Sequence, residues 1–87
     1  MYVIAVYDVN QKRVVKMLKL CRQYLNWIQN SVFEGEITEV KLLELIQKAS
    51  TLMDEREDSL VIFKSRESRW LDKQVIGVER MKTDNFL

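Results

Sequence analysis

The chain has 87 residues, 47% hydrophobic and 31% charged, with no proline, two glycines, one cysteine and no histidine. That composition describes one folded domain, residues 1–87, with short connections instead of linkers. The missing imidazole excludes Ser-His-Asp and Cys-His catalysis, and a lone cysteine allows neither an intrachain disulfide nor a ready zinc site. Hydrolytic chemistry is left with carboxylates, hydroxyls and a hard metal.

The formal net charge of +1 is unevenly spread. Residues 1–30 set Lys12, Arg13, Lys16, Lys19 and Arg22 against Asp8 alone, whereas residues 31–58 carry eight acidic groups against three basic ones. A basic surface on the first helix for nucleic acid fits this asymmetry, and so do two solvated helix faces of opposite sign. The opening apolar run is too short to span a membrane and has no basic leader before it, so a cytoplasmic protein without membrane attachment is expected.

In chain order, Tyr2–Tyr7 is rich in β-branched and aromatic residues and apolar on both faces, as a central strand should be. Asn10 or Asp8 can cap the helix that follows, from Arg13 to about Asn26, where Val14, Leu18, Cys21 and Leu25 recur at helical spacing. "WIQNSVFEGEI" (27–37) reads as a short edge strand, a tight turn at Asn30-Ser31 and a longer strand ending near Glu36. A single bulged strand is the alternative. Thr38 should cap a second helix with Leu42, Leu43, Ile46, Ala49 and Met53 on its buried stripe. "DEREDS" (54–59) reads as a solvated connection, "LVIFK" (60–64) as a strand and "QVIGV" (74–78) as another. The order predicts an α+β, ferredoxin-like β-α-β-β-α-β domain with an antiparallel sheet and an extra C-terminal strand. Both helices then cover one face of the sheet. The other, also apolar, face predicts a homodimer.

Asp8 shares a face with Ile4 and Val6, at the point where the strand ends. It is either a helix cap or an oxygen ligand for magnesium or manganese, whose sites often use one or two carboxylates with water and substrate phosphate. Phe33 and Cys21 read as core, and Ser31 as a turn residue. Trp70 lies near Lys64, Arg66 and Arg69, a combination that suits either nucleic-acid contact or surface packing.

Taken together, "YDV", "NWIQNSVFEGEIT", "EDSLVIF" and "VIG" resemble the CRISPR-associated protein 2 family, in order and over nearly the whole chain. The resemblance implies a ferredoxin-like homodimer with its sheets face to face and a C-terminal strand pairing across to the other subunit. It further implies a role in CRISPR adaptation beside the CRISPR integrase, with DNA spacer precursor, and magnesium-dependent cleavage of single-stranded RNA or double-stranded DNA. The family's metal-binding aspartate falls on Asp8, with Tyr7, Ser31 and Phe33 in support, and Lys12, Arg13, Lys16, Lys19, Arg22, Arg66 and Arg69 are the candidate phosphate contacts. The arginine many members carry before the central motif is Trp27 here. A non-catalytic DNA-binding scaffold and a toxin-type messenger-RNA interferase of related fold are the competing readings.

Overall fold

A computed structural model describes residues 1–66 and 73–78. The elements are β1 (Tyr2–Asp8), α1 (Gln11–Arg22), β2 (Asn26–Gln29), β3 (Val32–Glu36), α2 (Glu39–Leu52) and β4 (Ser59–Ser65). They form one antiparallel sheet in the order β2-β3-β1-β4, the ferredoxin-like arrangement expected from the order of elements.

The alternation of β1 divides the molecule. Val3, Ala5 and Tyr7 are buried, whereas Tyr2, Ile4 and Val6 are only partly covered. The buried set joins Phe33 of β3, Met17 and Cys21 of α1, and Leu42, Leu45 and Ala49 of α2 in the core. The rings of Tyr7 and Phe33 stack with centroids 6.0 Å apart. Burial pushes the Tyr7 hydroxyl up to about 12 and the Cys21 thiol up to about 11. Across the sheet, Ile4 pairs with Phe63 and Val6 with Val61. Phe63 and Val61 remain exposed, and among the described residues no helix lies over this apolar face.

Asn30, at φ 43°, takes the left-handed conformation that turns β2 into β3. Asparagine tolerates that region better than most residues. The Trp27 indole N–H donates to the Asn30 carbonyl at 3.0 Å and closes the same turn. The register runs from Trp27↔Phe33 to Gln29↔Val32, so a bulge at Ile28 takes up one extra residue. The hairpin therefore replaces the single bulged strand as the description of 27–37, although it keeps a bulge.

The expectations for α2 and for the segment 54–59 need correction. The stripe of α2 is Leu42, Leu45 and Ala49, while Leu43 is 61% exposed; 42, 45 and 49 are the i, i+3, i+7 set of one face, and this face joins the core. The segment 54–59 is not simply solvated, because the Asp58 side chain is fully buried. Residues 73–78, where a strand pairing across to a second subunit is expected, run outside any ladder within the single chain, with Ile76 and Val78 exposed. Apolar composition makes a strand only where a neighbouring edge takes up its backbone hydrogen bonds, and no described strand pairs with this segment. Lys73 ion-pairs with Glu34, a buried carboxylate on the side of the sheet away from the helices. No helix among the described residues is long and apolar enough to cross a membrane.

The α2 correction is directly measurable. Leu45→Ala should lower unfolding free energy by about 2–5 kcal/mol, and Leu43→Ala by no more than about 0.5 kcal/mol, in denaturant titrations. Equal losses at the two positions would restore the original stripe.

Candidate metal and nucleic-acid site

Asp8 is the last residue of β1, exposed, on the same side of the sheet as Ile4 and Val6. Its backbone still pairs with Ser59 of β4. The capping role falls to Asn10, whose side-chain oxygen accepts the Lys12 amide at 3.0 Å, while its carbonyl accepts the Arg13 amide at 2.8 Å. Of the two cap candidates, the one nearer the helix is used. The β1 backbone, with a regular ladder to Ser59, carries Asp8 away from the helix end. A shallow pocket of about 280 Å³ lies beside it, lined by Tyr7, Asp8, Val9, Val14, Asn30 and Ser31. Ser31 is half-buried, and its carbonyl accepts the Tyr7 amide at 3.2 Å, tying the β2–β3 turn to the end of β1.

The other proposed site residues divide by depth. Tyr7 and Phe33 are core residues that support the strand end from beneath. Lys12, Lys16, Lys19 and Arg22 are exposed on α1, and Lys64 and Arg66 are exposed on and just after β4. Lys19 and Arg22 occupy the last turn of α1, where cations also complement the helix dipole. The Arg22 guanidinium lies 5.8 Å from the centroid of Trp27, so an arginine from α1 stacks on the indole at the start of the central motif. Arg69 and Trp70 lie outside the described residues.

Arg13 is used differently from its neighbours. Its Nε donates to Asp58 Oδ2 at 2.5 Å, and its Nη2 to Glu57 Oε1 at 2.7 Å and Asp58 Oδ1 at 3.2 Å. With its guanidinium committed to two carboxylates and its side chain 14% exposed, Arg13 is withdrawn from the set of free phosphate contacts. Asp58 receives two further donors, the Asn10 amide at 2.8 Å and the Asp54 amide at 2.9 Å. Hydrogen bonding from Arg13 is the main cause holding its carboxyl well below the usual carboxylate range.

Asp58 escaped the sequence reading because its partner stands 45 residues away. A signal existed nonetheless. Arg13, Met17 and Cys21 share the i, i+4, i+8 line of α1, and two of the three are buried. An arginine on a buried line needs an anion.

Among the described residues, no three acidic or cysteine side chains converge as a ready-made metal cage. Asp8 is a single free carboxylate at the junction of the β1 end, the β2–β3 turn and the basic helix. The comparisons with known proteins now bear on it. The family model for CRISPR associated protein Cas2 matches residues 1–73. This chain belongs to the Cas2 family. The CRISPR-associated endoribonuclease Cas2 of Dictyoglomus turgidum is 46% identical over the whole of both chains. That of Thermotoga maritima is 48% identical over all of this chain and 99% of its own. A solved Cas2 crystal structure, 42% identical, superimposes with a TM-score of 0.83 over 92% of this chain and 90% of that one. The shared fold extends to the Cas2 of Streptococcus pyogenes at 29% identity, with a TM-score of 0.73 over 86% of this chain and all of the other.

The Asp58 cluster sets a pH dependence. A carboxyl whose pKa is depressed by folding stabilises the native state fully above its unfolded value, about 4, and loses that contribution as the pH falls toward the folded value. Unfolding free energy should therefore drop below about pH 4. In Asp58→Asn that acid limb should be shallower by up to about one proton, read from urea titrations across pH 2–7. An unchanged acid slope would remove Asp58 from the account.

Proposed function

We propose that this Cas2-family chain is a metal-dependent CRISPR endoribonuclease that works as a homodimer, with Asp8 as the magnesium or manganese ligand. The observation that carries the reading is the free Asp8 carboxylate: it is exposed, it has no hydrogen-bond or ion-pair partner among the described residues, and its capping duty has passed to Asn10. A hard cation suits this donor, because magnesium sites commonly take one or two carboxylates and fill the remaining positions with water and substrate phosphate. When bound, the metal supplies Lewis-acid stabilisation of the phosphate and a nucleophilic water. The chain's own residues do the rest. Asp8 anchors the cation at the rim of the apolar sheet face, and Lys12, Lys16, Lys19, Arg22 and Arg66 hold the flanking phosphates.

The uncovered face with Ile4, Val6, Val61 and Phe63 supports dimerisation through that side of the sheet, since exposed apolar surface of this kind usually marks a partner. In a dimer whose two-fold axis passes near the end of β1, the two Asp8 side chains approach that axis. Within CRISPR adaptation we place the dimer beside the CRISPR integrase, on DNA spacer precursor, with single-stranded RNA as the cleavage substrate. The exposed basic face of α1 also favours a scaffold reading, in which the chain binds DNA and cleavage is dispensable.

Asp8→Asn separates the two. Asparagine keeps the size of the side chain but removes the anionic ligand, and Asp8 carries no cap to lose. The variant should fold with wild-type stability within about 0.5 kcal/mol and lose magnesium-dependent cleavage of single-stranded RNA by about 100-fold or more. Spacer acquisition that continues with this variant supports the scaffold role in the cell, whereas cleavage at the wild-type rate would sink the metal assignment.

Phosphate contact has its own signature. Each lysine or arginine contact removed should reduce the slope of log affinity against log salt by about 0.7–0.9. Lys16→Gln and Lys19→Gln should show that reduction in nucleic-acid titrations. Arg13→Gln, whose charge is already neutralised by Asp58 and Glu57, should leave the slope unchanged.

A further inference from the structure

Asp58 stands 50 residues beyond Asp8 in sequence, but the β1–β4 ladder brings the two chain segments together. Ser59, the next residue, pairs with Asp8 in the β1–β4 ladder. Asp58 Oδ1 accepts the Asn10 amide at 2.8 Å, two residues beyond Asp8. The stretch from Asp8 to Asn10 is thus held at one end by the backbone of Ser59 and at the other by the side chain of Asp58. Arg13 extends the clamp one turn into α1 through its Nε and Nη2 contacts to the same carboxylate. The Asp54 amide fixes the carboxylate from its own loop at 2.9 Å.

Four N–H donors converge on two oxygens, and only an ionised carboxylate can accept at both. Asparagine would turn an amide NH₂ toward two donors whichever way it flipped. The side chain is fully buried, so water cannot replace a lost acceptor. The rigidity of the chain just after Asp8 therefore depends on one side chain contributed by the α2–β4 connection.

We propose that Asp58 is a positioning residue for Asp8: by clamping the Asn10 amide and Arg13 it fixes the direction in which the Asp8 carboxylate leaves the sheet. This rests on the reading of Asp8 as the metal ligand. Residues that orient a ligand typically change metal affinity or activity by about 10–100-fold when removed.

The test uses Asp58→Asn, together with Asp58→Glu, which keeps the charge and both acceptor oxygens on an arm one methylene longer. Three quantities are measured on the full chain: hydrogen exchange of the Asn10 amide by NMR, broadening of the Asp8 signals on titration with Mn²⁺ alone, and cleavage of single-stranded RNA. Asp58→Asn should speed Asn10 exchange by about tenfold or more, weaken Mn²⁺ binding by about tenfold and lower kcat by about tenfold with KM within about twofold. Asp58→Glu should move the same quantities in the same direction by less. Faster Asn10 exchange with Mn²⁺ affinity and kcat at wild-type values would make Asp58 merely structural and overturn the proposal, leaving the reading of Asp8 intact. Wild-type Asp8 signals that Mn²⁺ does not broaden would overturn both.

Discussion

The period-two alternation of β1 at the centre of the sheet is the constraint from which the rest follows. A strand with neighbours on both edges has no freedom to slip by one residue without exchanging its buried and open faces. Val3, Ala5 and Tyr7 are committed to the helices, so Ile4, Val6 and finally Asp8 are committed to the uncovered side. The same register places Phe33 under Ala5, and Phe63 beside Ile4. The core, the apolar outer face and the location of the free carboxylate are consequences of a single alignment.

That alignment is what the sequence made legible. β1, the turn at Asn30, the Thr38 cap and β4 are each specified by neighbours within a few residues, through alternation, left-handed tolerance and capping. The order of elements then leaves few topologies open. Asp8 was also legible, because a carboxylate at the end of an apolar strand needs an explanation within the strand itself. Its two local explanations could be separated only by the backbone geometry that gives the cap to Asn10.

The misread parts depend on distant partners. In "DEREDS" six polar residues in a row look solvated, and only the docking of α1 against the α2–β4 connection shows that Asp58 is enclosed by Arg13, Asn10 and Asp54. Leu43 and Leu45 are equally apolar and two residues apart, so the stripe on α2 depends on helix rotation that composition does not encode. The segment 74–78 has strand composition, and its expected partner is an edge of a second subunit, so the single chain leaves it unpaired. Its observed anchor, Lys73 on Glu34, is an ionic contact between residues 39 positions apart.

Asp8 and Asp58 are the same chemical group in opposite circumstances. Asp58 is buried, accepts four N–H donors and sits beside an arginine, so its charge is fully compensated and fixed in place. Asp8 is exposed and, among the described residues, has none of these partners. A fold that used Asp8 as the α1 cap would fill one of its oxygens with a backbone amide and lower its capacity for any other cation or donor. Asn10 takes that amide, and Asp58 takes the charge of Arg13. Arg13 and the N-terminus of α1, two local features able to neutralise a carboxylate, are both engaged by other residues. Asp8 keeps its full acceptor capacity because the local structure around it has already been satisfied elsewhere.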